Sequence, residues 1–201
     1  MSQRIEPHDS LDDFPTPPWS TRALIEHVLK PLDVPVNRMS CLEPACGRGD
    51  MAKVLTEYFD VVAASDVHPY GYGDREDFLI LHPFEALSVD WVITNPPFRL
   101  AAEFWEHAVT VARNGVALLC RSVFLESVDR YQRIFRAWPP TIFAPFVERV
   151  PMLRGRLDAK GSTATSYAWF VWIKGSVVRQ PVCFIPPCRR QLERPGDYPI
   201  R

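Results

Sequence analysis

Residues 42–51 read LEPACGRGDM, with two glycines between a short apolar segment and a helical pattern. Gly47 and Gly49 permit positive φ angles and let the backbone approach a ligand closely. Glycine loops between a strand and a helix usually bind a nucleotide-like cofactor at the N-terminus of the helix. The dinucleotide fingerprint has a third glycine where Met51 and Ala52 stand here. A nicotinamide cofactor is therefore disfavoured.

Segments with helical periodicity alternate with apolar runs along most of the chain. The helical segments are residues 21–30, 51–59, 100–112 and 128–138, and the apolar runs are residues 61–66, 91–94, 116–120, 141–144 and 166–173. This alternation predicts an α/β fold with a doubly wound parallel sheet, whose ligands bind at the carboxyl ends of the strands. We expect Ser20 to cap the first helix and Pro31 to end it, and Asn114-Gly115 to end the third.

A carboxylate ends the apolar run 61–66. In folds of this kind, an acid about twenty residues after the glycine loop holds the ribose hydroxyls of the cofactor. Asp66 has that spacing, although it could also be a plain strand-end residue that starts a turn with Pro69 and Gly71. Asp77 and Phe78 follow, and they could hold an adenine amine and the edge of its ring.

The run 91–94 is closed by Asn95-Pro96-Pro97-Phe98. The prolines lack N–H groups, push Asn95 toward extended geometry and leave the carbonyls of the turn without partners in the sheet. Asn95 Oδ1 and the Pro96 carbonyl could then accept the two N–H groups of a planar amine, with Phe98 as a stacking surface. The alternative is an ordinary turn at a strand end, followed by a buried phenylalanine.

Taken together and in this order, these residues resemble the class I S-adenosylmethionine-dependent methyltransferases, in the amino-methyltransferase branch that carries an Asn/Asp-Pro-Pro-aromatic motif. The resemblance implies a seven-stranded, mostly parallel sheet with an antiparallel C-terminal hairpin. It assigns catalysis to Asn95, Pro96, Pro97 and Phe98. It assigns cofactor binding to Phe14, Thr16, Pro17, Glu43, Pro44, Ala45, Gly47, Gly49, Asp66, Asp77, Phe78 and Asn95.

The resemblance implies transfer of a methyl group from S-adenosylmethionine to the N6 amine of adenine in DNA, as in compact phage and prophage enzymes. The same motif also serves RNA bases and the side-chain amide of glutamine in proteins. The protein-glutamine branch usually ends its motif with tyrosine, so Phe98 favours nucleic acid. A non-catalytic binding module and an oxidoreductase are the alternatives from other classes.

Basic residues predict where a nucleic acid could contact the protein. Arg99 follows the proline motif, and the loop before the last strand carries Arg149, Arg154, Arg156 and Lys160. If the last two strands form a hairpin, this loop lies on the active-site side. On charge alone, a solvated surface loop is an equally good interpretation.

The domain prediction is a single catalytic domain over residues 1–175, in which residues 1–20 pack on the cofactor. Residues 176–201 form a proline- and arginine-rich tail, expected to be extended or poorly ordered, as a solvated terminus or a nucleic-acid arm. The chain has no room for a separate target-recognition domain. Specificity would then come from short loops, a second copy or an accessory protein.

Composition limits the other classes. The net charge is −1, so no global basic excess indicates unaided binding to duplex DNA. No long apolar stretch or leader is evident, and neither a membrane span nor secretion is expected. The 5 cysteines lack metal-site spacing and are interpreted as reduced thiols of a cytoplasmic protein that binds no metal.

Overall fold

The computed structural model describes residues 12–80, 86–176 and 181–198. Within them, seven strands form one sheet: β1 (Ser40–Glu43), β2 (Val61–Asp66), β3 (Asp74–Arg75), β4 (Val89–Thr94), β5 (Ala112–Arg121), β6 (Ile142–Pro145) and β7 (Tyr167–Ile173). Their order across the sheet is β3-β2-β1-β4-β5-β7-β6. Strands β1 to β5 are parallel to one another, and β7 is antiparallel to its two neighbours, β5 and β6. The predicted α/β sheet with an antiparallel C-terminal hairpin is confirmed.

The helices connect and flank these strands. The α-helices are α1 (Pro18–Leu24), α2 (Asp50–Leu55), α3 (Ala101–Val111), α4 (Val128–Arg130) and α5 (Arg189–Leu192). Shorter turns extend α1 over Ile25–Leu29 and Lys30–Leu32 and α4 over Tyr131–Phe135, and further 3-10 turns cover Val36–Arg38, Phe98–Leu100 and Ser122–Leu125. Among the residues described, no helix is both long and apolar enough to cross a membrane.

The predicted ends of the first helix are wrong. α1 begins at Pro18, because proline fits the first helical turn, where its missing N–H has no partner to lose. Ser20 therefore lies inside the helix, and its hydroxyl donates to the Pro17 carbonyl at 2.7 Å. Pro31 does not itself end the helical segment. It lies within a 3-10 turn that ends at Asp33, which has a left-handed φ of 55°.

The predicted role of Asn114-Gly115 is also wrong, since both residues belong to β5. At Gly115, a Cβ atom would lie 2.6 Å from the ring of Trp91 and 2.7 Å from the carbonyl oxygen of Trp172. The glycine thus serves close packing of three strands rather than a turn. The glycine at position 115 is therefore explained by its contacts with neighbouring strands and not by the local sequence.

Hydrophobic side chains cover both faces of the sheet. Alternate residues of β7 show this arrangement: Trp169 and Val171 join one buried cluster, and Phe170 and Trp172 join the other. All four are at most 1% exposed. Both faces of β7 therefore belong to the core.

The expectation of a poorly ordered tail is wrong for residues 181–198. Cys183 N–H donates to the Phe143 carbonyl and Ile185 N–H to the Pro145 carbonyl, both at 3.0 Å, so this segment runs along β6. Glu148 accepts from the Cys188 N–H at 2.7 Å, at the start of α5. The remaining residues of the predicted tail, 177–180 and 199–201, lie outside the described residues, as do residues 1–11.

A buried arginine fastens this segment to α1. Arg22 is 3% exposed and donates to Asp197 at 2.7 and 2.9 Å and to Glu57 at 2.7 and 2.9 Å. It also donates to the Leu192 carbonyl at 2.7 Å. These partners lie far from Arg22 in the chain, so neither composition nor periodicity reveals that the segment is packed.

Arg22→Met should lower the free energy of unfolding by about 3 to 5 kcal/mol, because the buried Asp197 carboxylate would lose its partner. The matched control is Arg113→Met, whose ion pair with Asp90 is 45% exposed on the arginine side and should cost less than about 1 kcal/mol. Urea denaturation of both variants gives the comparison. Equal, small losses of stability in the two variants would contradict the stabilising role of Arg22.

Candidate active site

The ends of three adjacent strands build one site. β1 lies between β2 and β4 and is parallel to both. Glu43 ends β1, Asp66 ends β2, and Asn95 directly follows β4, so all three lie at the same edge of the sheet. They line a cavity of about 650 Å³. Parallel pairing alone is what brings these residues together.

Most of the predicted cofactor residues line this cavity: Phe14, Thr16, Glu43, Pro44, Ala45, Gly47, Asp66, Asp77, Phe78 and Asn95. Pro17 and Gly49 do not. The Pro17 carbonyl instead accepts from Ser20 in the first turn of α1. Gly49 precedes α2 with a φ of 79°, and a Cβ there would lie 2.5 Å from the ring of Tyr72. Pro17 and Gly49 therefore contribute to the start of α1 and of α2, which flank the cavity, and not to its lining.

Asp66 holds the glycine loop in place. Its carboxylate accepts from the Gly47 N–H and from the His68 N–H, both at 2.9 Å. Gly47 has a φ of 53°, which a glycine adopts without strain. Asp66 therefore starts a turn and lines the cavity at once, so the two sequence interpretations of this residue are compatible.

Glu43 is a buried acid at the floor of the cavity. It is 2% exposed, and its Oε2 has no hydrogen-bond partner among the described residues. Burial raises the pKa of Glu43 well above its usual range, and the charge of Asp50 adds to the rise. A hydrogen bond from the Ala52 backbone lowers the pKa of Glu43, and the charge of Asp66 raises it further. This edge suits a ligand that brings N–H or O–H donors or positive charge.

The Asn95 side chain is held by one of its two ends. Its Nδ2 donates to the Phe14 carbonyl at 3.0 Å and to Thr16 Oγ1 at 3.2 Å, and it lies 3.7 Å from Met152 Sδ. Since the Phe14 carbonyl can only accept, the amide must turn its nitrogen toward it. Oδ1 is left buried and without a partner among the described residues. The sequence predicted this oxygen as an acceptor for a target amine, and that role stays a prediction.

Phe98 lies outside the cavity, although it belongs to the same turn. Its ring is 5.2 Å from the ring of Phe14 and 6.3 Å from that of Tyr167. The guanidinium carbon of Arg121 lies 4.1 Å from the Phe98 ring centroid. Part of the ring surface predicted for stacking is thus covered. Arg121 and Tyr167 were missed, but the predicted hairpin could have located both, since they stand at paired strand ends beside β4.

The segment before α1 makes further contacts that the sequence did not indicate. Asp12 Oδ2 accepts from the Phe98 N–H at 2.9 Å. Asp13 pairs with both terminal nitrogens of Arg48 in the glycine loop at 2.9 Å, and its carbonyl accepts from the Gly155 N–H at 2.8 Å. The segment therefore links the glycine loop, the proline motif and the loop before β7.

The loop between β6 and β7 lies at the active-site side, as predicted from the hairpin, because Met152 and Gly155 make the contacts described above. Its cations Arg149, Arg154, Arg156 and Lys160 are exposed and do not line the cavity. Arg99, also exposed, does line it. Over the described ranges, no group of three or more His, Cys, Asp or Glu side chains is placed to hold a metal ion.

Comparisons with known proteins identify the class of fold. No protein-family model matches the chain, and no curated protein sequence matches it. The similar solved structures include candidate methyltransferases, one of them described as class I and S-adenosylmethionine-dependent, and this chain has the Rossmann-like fold that they share.

Three of these structures illustrate the similarity, each at 14% identity. A candidate RNA methyltransferase from Pyrococcus horikoshii has a TM-score of 0.58, over 85% of this chain and 92% of that one. A modification subunit of a candidate type I restriction enzyme from Vibrio vulnificus also has 0.58, over 85% of this chain but 45% of that one. A candidate class I methyltransferase from Listeria monocytogenes has 0.57, over 88% and 67%.

Glu43→Gln should raise the free energy of unfolding more at pH 7.5 than at pH 5. Because the folded state keeps the Glu43 proton to a higher pH than the unfolded chain, wild-type stability falls as pH rises above the ordinary glutamate pKa of about 4.3. Glutamine does not titrate. Urea denaturation at the two pH values measures the difference, and a gain that is independent of pH would contradict it.

Glu26→Gln is the control with the opposite sign. Burial raises the pKa of Glu26, but hydrogen bonds from Lys30 and Tyr58 and the charges of Lys30 and His27 outweigh it, so the pKa is lowered. That pairing stabilises the protein above the unfolded pKa and is lost as the pH falls. The variant should therefore be less stable than wild type at pH 7.5.

Proposed function

We propose that the protein transfers a methyl group from S-adenosylmethionine to the exocyclic N6 amine of adenine in DNA. The observation that carries the proposal is the Asn95 side chain, whose nitrogen is held by Phe14 and Thr16 while its buried oxygen has no partner among the described residues. An unsatisfied buried acceptor is destabilising by about 1 to 3 kcal/mol. A ligand with an N–H group relieves that penalty.

The cavity fits the cofactor. Glu43 has an orphaned buried oxygen, and Asp66 lies at 8% exposure on the next strand, so acceptors face a molecule that carries an ammonium group and ribose hydroxyls. In our proposal Glu43 and the loop from Pro44 to Gly47 hold its amino-acid part, Asp66 its ribose, and Asp77 and Phe78 its adenine. When bound, S-adenosylmethionine supplies an electrophilic methyl group on a positively charged sulfur.

Asn95 and Pro96 act on the target amine. Oδ1 of Asn95 accepts one N–H and the Pro96 carbonyl accepts the other, which orients the nitrogen lone pair and stabilises the positive charge that develops on it. The Phe14 carbonyl prevents the amide from turning its nitrogen toward the target. No strong base is needed, because the alkylated amine is acidic enough to lose a proton to water.

DNA is the proposed substrate. Phe98 in place of tyrosine favours nucleic acid over a protein amide, and one similar structure is a restriction modification subunit. Arg99 at the cavity and Arg149, Arg154, Arg156 and Lys160 on the neighbouring loop are the proposed phosphate contacts. Adenine in a duplex must first be flipped out, at a cost of a few kcal/mol.

The proposed catalytic unit is residues 1–175, acting in the cytoplasm. Since the net charge is −1, contacts to DNA must be local. A second copy of the chain or an accessory protein would supply further specificity.

Asn95→Ala should lower kcat by about 100- to 1,000-fold, as removal of one such hydrogen-bonding group does in other enzymes. The test expresses wild type and variant in a host that lacks adenine methylation and measures methylated nucleosides in its DNA and RNA by mass spectrometry. N6-methyladenine in DNA from the wild type alone is the expected result.

Asn37→Ala, at an exposed position before the N-terminal end of β1 and so at the opposite edge of the sheet from the site, is the matched control and should methylate as the wild type does. S-adenosylhomocysteine should stabilise the wild type by about 2.7 kcal/mol at a hundredfold excess over Kd. Methylation confined to RNA or to protein would replace the DNA proposal. Stabilisation by a nicotinamide dinucleotide instead would reject the methyltransferase itself.

A further inference from the structure

Arg121 is a cation beside the proline motif to which the proposed mechanism gives no role. It is the last residue of β5 and pairs with Tyr167 on β7. The next residue continues this register, since the Ser122 N–H donates to the Ser166 carbonyl at 2.9 Å. Arg121 is therefore held by the sheet, on the strand next to the one that carries Asn95. A side chain anchored in this way keeps its position better than one on a loop.

Arg121 differs from two other arginines of this chain that are at least partly buried. Arg22 pairs with Glu57 and Asp197, and Arg189 pairs with Glu193. No ion pair joins Arg121 to a carboxylate in the described part of the chain, and its Nε is buried without a hydrogen-bond partner. Burial raises the pKa of Tyr167, and the charge of Arg121 and a hydrogen bond with it oppose that rise. The guanidinium thus retains donors for a further, negatively charged partner.

Phe98 determines how the guanidinium is presented. The Arg121 guanidinium carbon lies 4.1 Å from the Phe98 ring centroid and 6.0 Å from that of Phe14. A guanidinium packed against an aromatic face is held by cation-π attraction, while the N–H groups at its edge stay available. Its fork of donors matches the oxygens of a phosphate group. The arrangement preorganises an anion-binding group beside the target amine.

We infer that Arg121 binds a backbone phosphate next to the target adenine. The inference rests on the proposed function and deepens it, because it assigns the substrate to nucleic acid by a second, independent feature. A glutamine amide in a peptide has no neighbouring phosphate, whereas every base in a strand has one on each side. Arg121 also accounts for why Phe98 lies outside the cavity: the ring supports the guanidinium.

The test compares Arg121→Gln, Arg121→Lys and wild type on an oligonucleotide that carries the sequence found methylated in the host DNA. For Arg121→Gln, KM should rise about 10- to 100-fold, the value of a charge-assisted hydrogen bond, with a much smaller change in kcat. The slope of log(kcat/KM) against log salt concentration should become shallower by about 0.9 on duplex DNA. Arg121→Lys keeps the charge and should keep most of that slope.

The matched control is Arg113→Gln, at the other end of the same strand, where the side chain is 45% exposed and paired with Asp90. It should leave KM and the salt slope unchanged. A second set of substrates replaces single phosphates near the adenine with neutral methylphosphonates. At one such position, the methylphosphonate should raise the KM of wild type as much as the Arg121→Gln substitution does. It should not raise the KM of that variant further. If Arg121→Gln fails to fold, these substrates with wild type and Arg121→Lys decide the matter.

The outcomes separate the two proposals. In one outcome, wild type methylates DNA, and Arg121→Gln loses kcat but keeps its KM and salt slope. This result overturns the phosphate contact alone and leaves Arg121 as a support for Phe98. The phosphate contact is also overturned if no methylphosphonate position raises the KM of wild type without raising that of Arg121→Gln. A wild type that methylates a protein amide and no nucleic acid overturns the proposed function and the phosphate contact together.

Discussion

The parallel pairing of β1 with both β2 and β4 is the constraint on which the rest of the site depends. Because the three strands run in one direction, their carboxyl ends meet, and so do Glu43, Asp66 and Asn95, which are far apart in sequence. The hydrogen bonds from Gly47 and His68 to Asp66 then fix the loops after β1 and β2 relative to each other. A sheet with one of these strands reversed would separate the acids from the amide.

A second layer of contacts closes around this strand edge. The segment of residues 12–16 reaches the glycine loop through Asp13, the proline motif through Asp12, and Asn95 through the Phe14 carbonyl. The loop before β7 rests on the same segment. Since the amide of Asn95 is oriented by backbone and hydroxyl oxygens from outside the sheet, the chemistry of the site depends on a segment that contributes no strand. Polar contacts provide that link, together with the packing of Phe14 against Phe98.

The sequence was sufficient for the parts of the site that follow from local pattern. Glycine spacing, acids at strand ends and prolines after a strand each report a backbone geometry, so the fold and the cavity residues could be predicted from them. The stacking of Arg121 on Phe98, the hydrogen bond from Phe98 to Asp12 and the burial of Arg22 could not. Each joins residues distant in the chain, and each concerns a charged side chain that sequence patterns assign to the surface. Gly115 was misjudged for the same reason, because a glycine that permits close packing and one that permits a turn have the same local signature.

The buried acid of β1 has a thermochemical consequence. A carboxyl group whose pKa is raised by burial becomes easier to ionise when positive charge binds beside it, so Glu43 would release a proton as a cationic ligand binds. Binding is then coupled to the solvent, and affinity increases with pH until the acid is ionised in the free protein as well. The heat of binding would also include the ionisation heat of the buffer that takes up the proton. Calorimetry in two buffers of different ionisation enthalpy would count that proton directly.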